Sequence, residues 1–348
     1  MKKGIATVAD LGAFDDIIDA RSPAEFEDDR IPGALSCPVL DNEQRAVVGT
    51  IYKQQSAFEA RRVGAAMVAE NIARHLREQF AVKPKNWRPL VYCWRGGQRS
   101  GAFVSWLRMV GWDACQLEGG YKNWRRHVIA ELEELPKKFD VRVVGGPTGS
   151  GKTRVLEALA ALGEQVIDLE DLAAHKGSVL GALPDRGQPP QKWFETQLFS
   201  ALSALDPQRP VYVEAESRKI GRIHLPEAMI VAMRAAPCVS IEATREARLE
   251  FLVRDYAYLG DDIALLQQRI DCLHGLQSNE TLERWKQLAA GHALPELFGE
   301  FIDLHYDPLY KRSQNHNYVN FADARKVISE DLSPQGIAAI AREIVKGR

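Results

Sequence analysis

The stretch Gly146-Pro147-Thr148-Gly149-Ser150-Gly151-Lys152-Thr153 matches the pattern G-x-x-x-x-G-K-[ST] at every fixed position. It follows an apolar run at Val141–Val144 that predicts a strand, and it opens a helical pattern from about Gly151 to Leu162. In this context the pattern forms a phosphate-binding loop, whose N–H groups hold phosphates while the lysine neutralises them and the threonine reaches a magnesium ion. The predicted phosphate-binding residues are Gly146, Gly149, Ser150, Gly151, Lys152 and Thr153.

The chain beyond the loop continues as an α/β pattern. Strands are predicted at Gln165–Asp168, Val211–Glu214 and Val239–Glu242, and the last hundred residues are mainly helical in pattern. The strand ending in Glu214 stands where a P-loop ATPase usually presents Asp, so the pattern favours a diphosphate site over ATP hydrolysis. We predict a P-loop NTPase-like α/β domain with a helical C-terminal part.

The chain before the loop forms a second α/β pattern. Strands predicted at Ile17–Ala20, Ala34–Leu40, Pro89–Tyr92 and Ala114–Leu117 alternate with helical segments, which is typical of a parallel sheet. A charged helix end then runs into Pro136. With 348 residues, the chain is long enough for two domains, which we predict at 1–135 and 136–348.

A cysteine loop follows the strand that ends at Tyr92. Its sequence is Cys93-Trp94-Arg95-Gly96-Gly97-Gln98-Arg99-Ser100. Glycines let the loop curl so that N–H groups face the sulfur, and the arginines add charge, which favours a solvent-reachable thiolate. We predict Cys93, Arg95 and Arg99 as catalytic residues. Trp94, Gly96 and Gly97 are candidate substrate-binding residues, and the alternative is a merely structural cysteine at a strand end.

Composition excludes several classes of protein. Five cysteines without a C-x-x-C spacing argue against a disulfide scaffold and a zinc site, and we assign no metal ligands. No apolar run reaches the ~20 residues that span a bilayer, and the start lacks the apolar core of a signal peptide, so a cytoplasmic protein is expected. Net charge is −2, yet residues 51–100 hold ten Lys/Arg against three Asp/Glu. That basic segment either faces phosphate or is a solvated helix face.

Two further clusters are candidates for substrate or RNA contact. The first follows the strand end at Glu214 and includes Arg218 and Lys219; the alternative is a solvated loop. The second runs from His305 and Tyr306 to Arg312 and combines aromatic and basic residues, which suit bases and phosphates. Its alternative is a turn with packed tyrosines.

The first half of the chain resembles a rhodanese domain. The resemblance covers about residues 5–135 and rests on four stretches: Asp19–Phe26, Arg30–Ala34, Cys93–Ser100, and Gly119-Gly120-Tyr121 with Trp124. It implies that Cys93 carries a sulfur or selenium atom.

The fusion of such a domain to a P-loop domain resembles the family of bacterial tRNA 2-selenouridine synthases. Beyond the two loops, the resemblance rests on Leu169–Ser178, Gln188–Gln191, Phe194-Glu195 and His305–Pro308, with Lys176 where Arg is expected. It implies a transferase that replaces sulfur by selenium in the wobble 2-thiouridine of tRNAs for Lys, Glu and Gln. The implied co-substrates are geranyl diphosphate and then selenophosphate, with Cys93 holding selenium as a perselenide or assisting its delivery. No firmly bound cofactor is expected, Mg²⁺ is a candidate, and an enzyme that produces selenophosphate is a candidate partner.

Two other functions remain open from the sequence. One is a rhodanese-type sulfurtransferase coupled to an ATP-dependent kinase or switch domain, and the other is a non-catalytic RNA-binding module. A geranyl group needs an apolar groove, for which Trp193, Phe194, Leu198 and Phe199 are candidates, although their helical spacing favours core packing.

Overall fold

The computed structural model describes residues 4–178, 181–183, 185–310, 318, 321 and 323–347. The chain divides into two compact units, Met1–Glu131 with Pro190–Ser200, and Leu132–Pro189 with Ala201–Arg348. The sequence analysis had placed Pro190–Ser200 in the second domain.

The strands of the described residues are β1 (Ile5–Ala6), β2 (Asp16–Asp19), β3 (Leu35–Ser36), β4 (Pro89–Tyr92), β5 (Cys115–Leu117), β6 (Val141–Gly145), β7 (Gln165–Ile167), β8 (Val211–Glu214), β9 (Lys219–Ile220), β10 (Ile223–His224), β11 (Cys238–Ala243) and β12 (Arg325–Ser329). The α-helices with described bounds are α1 (Pro23–Asp28), α2 (Asn42–Gln54), α3 (Ala57–Glu78), α4 (Gln98–Val110), α5 (Gly120–Glu134), α6 (Lys152–Ala161), α7 (Leu169–Ala173), α8 (Gln191–Ser203), α9 (Glu227–Ala235), α10 (Arg245–Asp255), α11 (Ile263–Asp271), α12 (Asn279–Ala290), α13 (Leu294–Glu300) and α14 (Pro334–Lys346).

The first unit is built on a parallel sheet of order β1-β5-β4-β2-β3. All four residues of the central strand β4 are buried, as expected for a strand covered on both faces. The predicted parallel α/β class is confirmed. The strand predicted over Ala34–Leu40 is wrong in extent, because only Leu35 and Ser36 pair with β2. The sequence analysis did not predict α2, none of whose residues is buried.

A buried polar cluster lies around the residues that end and follow β2. The Arg21 guanidinium is 1% exposed, pairs with Asp19 at 2.6 Å and lies 4.0 Å from the centre of the Tyr121 ring. It also donates to the carbonyl of Asp29, whose carboxylate accepts from the Tyr121 hydroxyl at 2.8 Å. Since buried charges are stable only when paired and hydrogen-bonded, this cluster fixes the start of α5 beside β2.

The second unit holds a parallel sheet of order β12-β11-β6-β8-β7. Helices α6 and α14 pack on it through Leu156, Leu159, Ile337 and Ile340. The helical C-terminal part has its own core around Trp285 and Phe301. The mainly helical pattern predicted there missed the edge strand β12, of which only Val327 is buried.

Segment 190–200 packs in the first unit through the first three turns of α8. Arg30 lies 3.8 Å from the centre of the Trp193 ring, and Lys192 pairs with Asp28 at 2.6 Å. No described helix is long and apolar enough to cross a membrane.

Candidate functional site

The cysteine loop begins where β4 ends. Gly96 and Gly120 have left-handed backbones (φ 64° and 59°), which L-residues with side chains seldom adopt. A Cβ on Gly120 would lie 2.2 Å from the carbonyl oxygen of Cys93 and 2.4 Å from the nitrogen of Gly96. The N–H of Tyr121 donates to that same carbonyl at 2.8 Å. The start of α5 therefore fits against the loop only because glycine stands at position 120.

Two donors reach the sulfur of Cys93. The N–H of Gly97 lies 3.4 Å from Sγ, and the hydroxyl of Ser100 lies 3.1 Å from it. The Gln116 amide donates to the Ser100 oxygen at 2.8 Å, which leaves the Ser100 proton free to point at the sulfur. Gly97 also precedes α4, so the positive end of that helix faces the loop. These groups all direct hydrogen-bond donors or a positive helix end at the sulfur.

The two arginines predicted to be catalytic have different surroundings. Arg99 pairs with Glu25 at 2.8 Å. Burial raises the pKa of the Glu25 carboxyl, but the hydrogen bond and charge of Arg99 outweigh this and lower it to about 2. Arg95 is exposed. The charge of Arg99 is thus compensated by Glu25, and the described contacts of the sulfur come from Gly97 and Ser100.

The exposure of Cys93 also differs from expectation. The residue is 2% exposed, so the prediction of a solvent-reachable thiolate is wrong for this conformation. The loop and the Ser100 hydroxyl cover the sulfur. Trp94 is 38% exposed and its ring centre lies 5.3 Å from that of Tyr121, while Gly97 is exposed. A substrate would meet Trp94 and Gly97 before the sulfur.

The phosphate-binding loop joins β6 to α6 as predicted. Gly149 and Gly151 have left-handed backbones (φ 84° and 74°). A Cβ on Gly151 would lie 2.8 Å from Ile337, so the loop needs glycine there for space as well. The ammonium of Lys152 donates to the Gly146 carbonyl at 3.2 Å. Ser150 is buried, and its hydroxyl has no partner among the described residues.

Three carboxylates meet beside this loop. Ligand oxygens of Glu170, Glu214 and Glu216 lie within 4.8 Å of one another, and the Thr153 hydroxyl donates to Glu170 at 3.2 Å. Burial first, and the charge of Glu216 second, raise the pKa of Glu170 to about 8. Burial and the charge of Glu214 raise the pKa of Glu216 to about 7, and burial raises the pKa of Glu214 well above its usual range.

Two observations indicate that a cation fits this carboxylate cluster. Glu214 is fully buried, and neither of its oxygens accepts a hydrogen bond within the described part of the chain. A Cβ on Gly177 would lie 2.5 Å from an oxygen of Glu170 and 3.0 Å from one of Glu216, so the glycine keeps that space open. Hard carboxylate and hydroxyl oxygens are the donors that Mg²⁺ prefers.

The loop and the cluster open into one pocket of about 550 Å³ in the second unit. Its polar lining includes Lys152, Thr153, Glu170 and Glu216. Its apolar and aromatic lining includes Leu183, Phe251, Leu252, Tyr256, Tyr306, Leu309 and Tyr310. Core packing is confirmed for the earlier groove candidates Phe194 and Leu198, which are fully buried, and Phe199 packs on Trp124 in the first unit.

Lys176 brings a second ammonium to the pocket. It pairs with Asp255 at 2.6 Å and lies 4.2 Å from the centre of the Tyr256 ring. Burial raises the pKa of Asp255, but hydrogen bonds from Lys176 and Arg154 outweigh it and lower the pKa. The lysine thus carries its positive charge at the wall of the pocket.

The candidates for RNA contact have different surroundings. Glu214 is buried in the carboxylate cluster, whereas Arg218 and Lys219 are exposed and Arg218 pairs with Glu227 at 2.6 Å. The second cluster starts in a π-helix, Phe301–Tyr306.

His305, in that π-helix, is 2% exposed, and burial lowers its pKa. His305 and Tyr306 line the pocket instead. Lys311 and Arg312 lie outside the described residues.

Sequence reasoning missed several side chains at both sites. Glu170 was quoted within Leu169–Ser178 without a role, although an acid just after a predicted strand end was a usable signal. The sequence held no comparable signal for Gln116, because its contact with Ser100 joins residues from different elements.

The family models divide the chain in two. A "Rhodanese-like domain" matches residues 6–127, and a "tRNA 2-selenouridine synthase AAA domain" matches residues 139–270. The first unit is accordingly a rhodanese-like domain, and the second a P-loop domain with a helical C-terminal part.

Curated relatives share the name tRNA 2-selenouridine synthase. The chain is 35% identical to the Nitrosomonas europaea protein over 69% of this chain and 63% of that protein, which is less than two thirds of the relative's length. It is 34% identical to the Aeromonas salmonicida protein over 84% of this chain and 86% of that protein. It is 33% identical to the Alcanivorax borkumensis protein over 91% of this chain and 95% of that protein. With that coverage, the chain belongs to the tRNA 2-selenouridine synthase family.

Proposed function

We propose that this chain replaces sulfur by selenium in the wobble 2-thiouridine of tRNAs for Lys, Glu and Gln, through an S-geranyl intermediate. The observation that carries the proposal is the pocket of the second unit, which is lined both by residues of the phosphate-binding loop and by apolar and aromatic side chains. A prenyl diphosphate has the same two halves. The names of the relatives suggest the uridine base of tRNA as the substrate, and the rhodanese-like unit contains Cys93.

The first proposed step is geranyl transfer in the second unit. The thiouridine sulfur attacks C1 of geranyl diphosphate, the C1–O bond breaks, inorganic diphosphate leaves, and the base loses its N3 proton. Negative charge grows on the leaving oxygen, where Lys152 and the N–H groups of the loop stabilise it. Phe251, Leu252 and Leu309 line the pocket and would hold the ten-carbon chain away from water.

Mg²⁺ fits beside the diphosphate. Glu170, Glu214, Glu216 and Thr153 would hold it, for the reasons of burial and space given above. When bound, the ion would neutralise charge on the diphosphate and on the carboxylates. The fold fixes two of these side chains directly, because Thr153 lies in the first turn of α6 and Glu214 ends β8.

The second proposed step is selenation, in which Cys93 takes part. The selenium of selenophosphate attacks C2 of the geranylated base, geranylthiolate leaves, and hydrolysis of the P–Se bond releases phosphate. Geranylation has by then made sulfur a better leaving group. A perselenide on Cys93 would be two electrons more oxidised than the thiol plus selenophosphate, so we assign Cys93 to assisting delivery. Its hydrogen bonds with Gly97 and Ser100 hold the sulfur in place for this. Because selenophosphate is short-lived, the enzyme that produces it is the partner we propose, in the cytoplasm.

The test is mass spectrometry of 2-thiouridine tRNA incubated with the protein, geranyl diphosphate and selenophosphate. Lys152→Ala should lose geranylation, while exposed Lys138→Ala should keep it. Cys93→Ala should keep geranylation and lose selenation, while Cys272→Ala, at an exposed free cysteine, should keep both. Full selenation by Cys93→Ala refutes the role of the thiol. Absence of geranyl transfer by the parent protein, together with measurable ATP turnover, favours the kinase or switch alternative instead.

A further inference from the structure

One buried arginine ties the phosphate-binding loop to the segment that follows the π-helix. Arg248, on α10, is 5% exposed. Its Nε donates to the Thr148 carbonyl at 2.9 Å, and its two terminal nitrogens donate to the carboxylate of Asp307 at 3.0 and 2.6 Å. Such a two-point pair holds the plane of the guanidinium, so the third donor has a fixed direction.

The bond to Thr148 controls a donor of the loop. In a trans peptide the C=O and the following N–H point in opposite directions. Fixing the Thr148 oxygen therefore fixes the direction of the Gly149 N–H, one of the groups that the phosphate-binding pattern uses. Gly149 has φ 84°, and a Cβ there would lie 3.0 Å from Leu252, so α10 packs directly on the loop at this peptide. Without Arg248, the freedom of glycine would allow this peptide to rotate.

We propose that Arg248 and Asp307 are positioning residues that orient the peptide between Thr148 and Gly149 for diphosphate. Asp307 belongs to the same short segment as His305 and Tyr306, which line the pocket. The ion pair thus links the diphosphate end of the pocket to its aromatic wall. The proposal rests on the proposed function only in taking a diphosphate as ligand, and inorganic diphosphate serves as the probe.

The structure offers a matched control pair. Arg245, also on α10, pairs with Asp303 of the π-helix at 2.7 Å, but their side chains are 45% and 47% exposed, and no hydrogen bond within the described residues joins either of them to the loop. Asp307→Asn should weaken the binding of inorganic diphosphate, measured by calorimetry, by about tenfold, since one hydrogen bond to a charged ligand is misdirected. Asp303→Asn should change it less than about twofold.

An exchanged pair separates positioning from folding. Arg248→Asp with Asp307→Arg can restore the ion pair, but an aspartate at position 248 has no donor for Thr148. We expect the melting temperature of this double variant to return toward that of the parent protein, while its binding of diphosphate stays weak. If the exchanged pair does not fold, Arg248→Lys replaces it in the experiment. This variant keeps the positive charge on one compact ammonium, and we expect it to bind diphosphate weakly as well.

Three results would overturn the assignment. They are unchanged diphosphate binding by Asp307→Asn and Arg248→Lys, full recovery of binding by the exchanged pair, and an equal loss in Asp303→Asn. If the parent protein binds inorganic diphosphate but transfers no geranyl group, the proposed function fails while this assignment still stands on its own measurements.

Discussion

Replacing Glu216 by glutamine should stabilise the metal-free protein at alkaline pH. Glu216 lies with Glu170 and Glu214 in the buried carboxylate cluster. Burial and the charge of Glu214 raise its pKa from 4.5 to about 7. Glutamine keeps the shape of the side chain and removes the charge, so the substitution isolates the electrostatic cost of the cluster.

The magnitude follows from that difference in pKa. Between pH 4.5 and 7 the folded protein binds more protons at this site than the unfolded chain, so the free energy of unfolding falls as pH rises through this range. A difference of about 2.5 units, at about 1.36 kcal/mol each, gives a cost on the order of 3 kcal/mol above pH 7. The cost is absent below the unfolded pKa. Glu216→Gln should therefore exceed the parent in stability by a few kcal/mol at about pH 8.5 and match it near pH 4.5.

Urea unfolding with a chelator at both pH values measures this difference. Glu250→Gln, at an exposed position on α10, is the control and should shift stability by less than about 0.5 kcal/mol. Added Mg²⁺ should then stabilise the parent at high pH and Glu216→Gln much less, because the variant has lost one ligand. Equal stability of parent and Glu216→Gln at high pH, or the same gain in the control, would refute the reasoning.

Three further substitutions test the geometry of the two sites. Glu25→Gln should lower the free energy of unfolding at neutral pH by roughly 2 kcal/mol. The folded carboxylate has a pKa of about 2, so it contributes stability above pH 4.5 that is lost as the pH falls through 2. Urea unfolding at a series of pH values measures this contribution. Gly120→Ala should cost more than about 2 kcal/mol in the same assay, because its Cβ would lie 2.2 Å from the Cys93 carbonyl. Gly177→Ala should weaken Mg²⁺ binding by about tenfold or more in calorimetry, because its Cβ would lie 2.5 Å from an oxygen of Glu170.

Each of these has an outcome that contradicts it. A glutamine at 25 that leaves neutral stability unchanged would mean that the ion pair with Arg99 does not stabilise the fold. Gly12→Ala, where an added Cβ has nothing within 4 Å, is the control for Gly120→Ala, and equal losses would discount the contact with Cys93. Unchanged Mg²⁺ binding by Gly177→Ala would show that the space above the carboxylate cluster is not used.

Local signals predicted the two loops correctly. The strand Pro89–Tyr92 has the predicted bounds, and α6 starts at Lys152, one residue after the predicted start at Gly151. In both cases an apolar run, a glycine-rich turn and a helical period lie within twenty residues of one another. These patterns depend only on hydrophobic periodicity and on the backbone freedom of glycine, so they can be recognised in a single sequence.

Contacts between distant segments could not be predicted in this way. Glu170 and Glu214 meet because β7 pairs with β8, and nothing in either strand's sequence encodes that pairing. The helical period of α8 was visible, but a period does not say against which sheet the helix packs. Trp193 packs on Arg30 and Phe199 on Trp124, and the sequence did not show these partners.

Charge was the property that sequence reasoning handled least well, and the reason is physical. The sequence predicts that Arg99 acts at the Cys93 loop, yet Arg99 pairs with Glu25. Lys176 and Arg248 are paired in the same way, with Asp255 and Asp307. Half-buried charges are costly unless paired, so pairing is the expected state and the sequence cannot show the partner. Within the described residues, carboxylates outnumber cations at the cluster beside the phosphate-binding loop. Three carboxylates lie close together there, and the ammonium that acts on them is that of Lys152. We therefore expect a cation to bind at this cluster, where it would add to the positive charge that a diphosphate meets.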